Sequence, residues 1–253
     1  VNFLLIIFFS IIFSSCSSSQ NQIKDGFKEK NIYVFNDSTG EYFLERDILI
    51  KNKKLITRQK IYSSMEPDKL LEKSIMISSL GKLKVGSNLI NYTRPDISQF
   101  TIWFEKQKFF SQLKTLKKNK SLEIVMLSPE EKWNGNKEIK YPKGATFCYY
   151  TQIPDCLKIQ GHLNSLINKE KKQIPFYLIW ESYPYQGEQL NNISDSPFQK
   201  AVILYEGINN GLHRFIVDLG NQTILYHYNL DLKFEMMFWV AQGITLKKQE
   251  FGE

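Results

Sequence analysis

The chain has 253 residues, with 33 Lys and Arg against 26 Asp and Glu, a formal net charge of +7 and a pI near 9.1. Hydrophobic residues make up 42% and aromatic residues 14%, which excludes a disordered chain and suits β-strands, where Tyr, Phe and Trp pack on a pleated surface. Lysine far outnumbers arginine in a chain also rich in Ile and Asn, so most of the positive charge reads as composition. Nucleic acid is not an expected partner.

In chain order, residues 3–13 are apolar apart from Ser10. As a helix this run would reach roughly 16 Å at about 1.5 Å per residue. That is short of the roughly 30 Å hydrocarbon core of a bilayer, but it is the length of a signal-peptide core. Phe13-Ser14-Ser15-Cys16 follows directly, in the order of a lipobox: an apolar residue, two small residues and a cysteine. The segment resembles the leader of bacterial lipoproteins. That resemblance implies loss of residues 1–15 and acylation of Cys16 on its sulfur and its amine, where two or more chains give stable anchoring. It also implies the bacterial cell envelope, with Ser17 favouring the periplasmic face of the outer membrane. An ordinary cleaved signal peptide and a buried N-terminal strand are the alternatives. Residues 16–30 have the composition of a flexible tether, which leaves 31–253 as a single β-rich domain.

Alternating runs bounded by turn formers predict strands over 32–35, 42–50, 55–62 and 70–79, the last with a short helix as the alternative. Gly81 and Gly86 bracket a hairpin-like segment, and further strands are expected near 100–104 and over 109–116 and 122–127. Residues 129–144, with Pro, Gly and Asn around Trp133, read as the longest irregular region. A helix is expected over 155–172, because Ile159, Leu163, Leu166 and Ile167 fall on one helical face. Strands return over 176–183, 201–206, 212–219, 223–229, 233–240 and 244–248, joined by tight-turn signals such as Asn209-Asn210-Gly211. Many short strands with one helix predict a mainly β fold. The expected form is a strongly curved antiparallel sheet or open barrel with one packed helix. In outline this is similar to envelope carriers of the LolA/LolB kind, a likeness of architecture alone.

Cys148 and Cys156 form an even pair in an exported chain, as a disulfide would require; two reduced thiols are the alternative. The three histidines, at 162, 213 and 227, are scattered, so neither a metal nor a cofactor is expected. No nucleophile elbow, phosphate loop, zinc-protease motif or dinucleotide fingerprint occurs, and no catalytic residue is assigned. Trp180 and Tyr183, around Glu181, and Met236 and Phe238, in the apolar stretch 234–240, are candidate ligand-lining residues, with packing in the core as the plainer alternative. The expected role is a non-enzymatic envelope lipoprotein that binds or carries a lipid or other amphiphile. The rivals are a scaffold binding envelope proteins through a sheet edge, and a glycan-acting hydrolase using Glu181 and His227.

Overall fold

The computed structural model describes residues 25–85, 88–104, 107–118, 120–143, 146–185 and 196–249. The leader, Cys16 and most of the segment read as a tether lie outside these. The first eight strands, β1 (Lys28–Asp37), β2 (Gly40–Lys51), β3 (Lys54–Ser63), β4 (Leu70–Val85), β5 (Asn88–Phe104), β6 (Gln107–Leu116), β7 (Ser121–Leu127) and β8 (Gly135–Lys140), form an antiparallel meander. A second meander follows: β10 (Gln173–Ile179), β11 (Phe198–Asn209), β12 (Leu212–Asp218), β13 (Thr223–Tyr228), β14 (Phe234–Trp239) and β15 (Ile244–Lys248). β1 pairs with β15, with Tyr33 opposite Lys248, so both meanders belong to one fifteen-stranded sheet whose last strand is β9 (Phe147–Tyr149). Lys28 to Lys30 are already in β1, so the folded domain starts inside the stretch read as a tether.

Every strand pair is antiparallel except β9 with β10. Between those two strands runs a helical crossover, the connection that parallel neighbours need. It holds α1 (Ile153–Ile159) and α2 (His162–Ile167), where the sequence predicts one helix. Gly161 divides them: its φ of +74° is left-handed, a helix-ending conformation that glycine adopts without a Cβ clash. The apolar face still turns inward, with Ile153, Leu157, Leu163 and Leu166 buried.

The sheet is strongly curved but not closed. β8 and β9 flank the gap, which side chains bridge instead of a backbone ladder. Tyr185 donates its hydroxyl to Phe110 O (3.2 Å) and Leu127 O (3.0 Å), and Ser111 Oγ donates to Glu181 O (3.0 Å). The Tyr141 ring lies 5.0 Å from Phe147 and 4.9 Å from Phe198. β8 falls within the region read as irregular; its polar sequence carries no alternation because it is an exposed edge strand, with Lys137 and Lys140 of the type that discourages edge pairing. The predicted strand over 176–183 stops at Ile179, and residues 180–185 turn into the interior. Of the two glycines expected to bracket a hairpin, Gly86 lies outside the described residues, between β4 and β5, and Gly81 lies within β4. β4 runs straight through it, and a Cβ there would meet the ring of its cross-strand partner Tyr92 at 2.5 Å.

The two halves of the interior differ. In the C-terminal half, Phe215, Tyr226, Tyr228, Phe234 and the stacked pair Trp180 and Trp239 (5.9 Å between centroids) pack around the crossover. The interior of β2 to β6 is more polar, with Arg46, Thr57, Ser78, Thr93 and Ser98 all buried. Buried polar groups require partners, and many of these come from the crossover.

Candidate functional site

The crossover is held by side chains that alternation carries to the inner sheet face. Arg46 forms an ion pair with Asp155 of α1 and donates to Thr151 O at 3.1 Å. Gln152 Nε2 donates to Thr57 Oγ1 (3.2 Å) and Met76 O (3.1 Å), and its Oε1 accepts from Ser78 Oγ (2.6 Å). Cys148 and Cys156 are joined as a disulfide with Cα atoms 6.0 Å apart, and Thr93 Oγ1 lies 2.9 Å from Cys156 Sγ.

Above this anchorage sit two carboxylates. Glu181, almost fully buried, accepts from the backbone N–H groups of Tyr150 and Thr151, each at 3.1 Å. Burial holds its carboxyl above the usual range although these hydrogen bonds oppose the shift. Glu72 lies between Ile61 and Ile102 in cross-strand register. Its surroundings, and next the charge of Glu181, push it up to about 8. Such a shift favours the neutral acid over an isolated charge. Both carboxylates also raise Tyr150, whose burial is the larger cause. Leu70, Glu72, Ser74 and Met76 share one face of β4, so an acid in that row is the one local signal for Glu72, which the sequence motifs do not single out.

The candidate lining residues do not form one wall. Trp180 is in the core, its Nε1 donating to Gln199 Oε1 at 3.1 Å, and Tyr183 packs partly buried against the same cluster. On β14, Phe234, Met237 and Trp239 are buried, whereas Met236 and Phe238 are half-buried on the outer face. There Phe238 meets the His227 ring edge-on at 5.5 Å. His227 and Glu181 thus lie on opposite faces of the sheet, which gives a shared acid–base role no geometry.

An interior cleft bounded by Tyr33, Arg46, Ile48, Asp155, Lys158 and Phe234 holds about 20 Å³, room for about one water. A larger space of about 340 Å³ is an open dish beside Gln222, Leu225 and Val240. Among the described residues no group of three or more His, Cys, Asp or Glu could hold a metal, and no helix is long and apolar enough to cross a membrane.

Strand register gives the sheet two distinct ends. The entry end, where β1 begins at Lys28, carries the turns at 51–54, 117–120, 140–143, 168–172 and 229–233, with twelve lysines and two acidic residues between them. At the far end, the turns at 37–41, 63–69, 128–134, 218–223 and 240–243 carry seven acidic residues and two lysines. Among the described residues, four of the six large apolar side chains that stand exposed are at that far end: Met65 (92%), Phe104, Leu127 and Val240 (78%). No protein-family model, characterised protein or solved structure matches this chain.

Proposed function

We propose that this chain is a non-enzymatic lipoprotein of the bacterial cell envelope, anchored through Cys16, whose far end docks a partner protein. The anchoring rests on the order Phe13-Ser14-Ser15-Cys16 behind an apolar run. One observation carries the docking role. Met65, Phe104, Leu127 and Val240 stand exposed at the end of the sheet opposite the point where the chain enters it. Single exposures scattered over a surface need no explanation; four of them on turns at one end of the sheet, among polar residues, favour a docking role there.

Carriage of an amphiphile inside the sheet has less support. Ligand pockets run to about 300–1,000 Å³, and the interior cleft is far smaller. A bare sheet edge fits the docking role less well than the far end does, because β8 is short and lysine-bearing.

Labelled palmitate should enter the wild-type chain and not the Cys16→Ser variant. Photo-crosslinkers placed at positions 65, 127 and 240 should then give a discrete adduct in envelope preparations, and one at position 60 on the sheet should not. Equal adducts from all positions count against docking, and a lipid that co-purifies stoichiometrically in native mass spectrometry restores the carrier.

A further inference from the structure

We propose that the entry end of the sheet is a lipid-facing surface that binds anionic headgroups. Its lysines sit on turns separated along the chain, at 51–54, 117–120 and 168–172, and register brings those turns to the same end. In these turns Lys54 reaches Asp96 at 3.9 Å, and the other lysines make no ion pair among the described residues. Their charges are turned to solvent rather than spent within the fold. Each lysine near an anionic membrane surface strengthens binding by about fivefold, so a handful acting together outweighs thermal motion.

Two apolar side chains stand out at this end, Ile208 (59% exposed) on the β11–β12 hairpin and Leu230 (66%) on the β13–β14 hairpin. Ile208 is paired with His213, and His213 with Tyr228, which puts the two hairpin tips two strand spacings apart, roughly 10 Å. Apolar tips among lysines match the boundary between headgroups and acyl chains. Nucleic acid would leave Ile208 and Leu230 unburied, so a lipid surface is the favoured polyanion.

The position of the chain's entry agrees. Nine residue steps separate Cys16 from Asp25 and can span at most about 30 Å. An acylated Cys16 therefore keeps the lysine-bearing end near the bilayer and turns the acidic end away. This orientation rests on the anchored reading above; the headgroup affinity does not.

The test uses the chain from residue 16 onward carrying Cys16→Ser, so that neither an acyl group nor the apolar leader contributes, sedimented with phosphatidylcholine vesicles with and without phosphatidylglycerol at low salt. We expect binding to the anionic vesicles at least about tenfold tighter, reversed by salt. Lys117→Gln with Lys118→Gln and Lys120→Gln should weaken it by about fivefold per lysine that meets the surface. Lys60→Gln with Lys108→Gln and Lys200→Gln, away from that end, should leave it unchanged. Equal binding to both vesicle types, equal weakening by both triple variants, or tighter binding to duplex DNA would overturn the inference. Anionic binding that persists while wild-type Cys16 takes up no palmitate would remove the anchor and leave this surface standing.

Discussion

Arg46 of β2 and Asp155 of α1 form an ion pair across 109 residues of chain, with the guanidinium buried and the carboxylate nearly so. Arg46 is held ionised by Asp155 against the cost of its own burial. Removing one partner of such a pair leaves an uncompensated charge and costs about 3–5 kcal/mol, whereas replacing both with apolar groups is often near neutral. Asp155→Ala should therefore lower the urea midpoint sharply, and Arg46→Met with Asp155→Leu should recover most of the loss. A midpoint unchanged by Asp155→Ala would mean that the crossover is held without this contact.

The disulfide closes a loop with a sequence separation of 8, and on the chain-entropy model it contributes about 2.6 kcal/mol. For a domain of this size about 1 kcal/mol moves Tm by about 2–4 °C. Replacing Cys148 and Cys156 together by Ser should lower Tm by about 5–10 °C in a calorimetric scan. The same scan in reductant should bring the wild type down to the variant.

Glu72 and His162 predict opposite slopes of stability with pH. The Glu72 carboxyl is raised to about 8 in the fold, so the native state holds a proton that the unfolded chain releases near 4.5. Its contribution is complete below about 4.5 and is lost as pH rises to about 8. His162 is lowered to about 4, by burial and then by Lys171. The unfolded chain binds that proton first, so stability present above about 6.5 is lost as pH falls towards 4. Glu72→Gln should raise the urea midpoint at pH 8 and leave it unchanged near pH 4.5, and His162→Gln should flatten the acid limb alone. A Glu72→Gln gain equal at both pH values would contradict the sign.

The Tyr92 ring lies where a side chain on Gly81 would project. Gly81→Val should thus displace the ring and cost about 1–3 kcal/mol, the usual range for overpacking. Tyr92→Ala in the same chain should relieve part of that cost. Additive losses in the double variant would show that the two positions do not compete for space.

Much of the fold was legible because strands are written locally. Alternation in β2 places Leu44, Arg46, Ile48 and Ile50 on one face, and Asn210-Gly211 closes the β11–β12 hairpin with left-handed residues. The candidate site was far less legible. Met236 and Phe238 looked the same as Met237 and Trp239, because an apolar strand does not say which of its faces meets the core. Glu72 gave little signal, since its partner Glu181 arrives from a segment more than a hundred residues away. The lysines read as composition because their grouping at one end exists only once the register is set.

Neighbouring residues, then, set the approximate course of most strands and turns and put Cys148 and Cys156 near enough in the chain to pair. Which faces turn inward, the filling of the interior by the crossover, and the gathering of basic turns opposite acidic and apolar ones all follow from the assembled sheet. Those outcomes depend on pairings such as β1 with β15, between opposite ends of the chain. Local spacing carries no record of them.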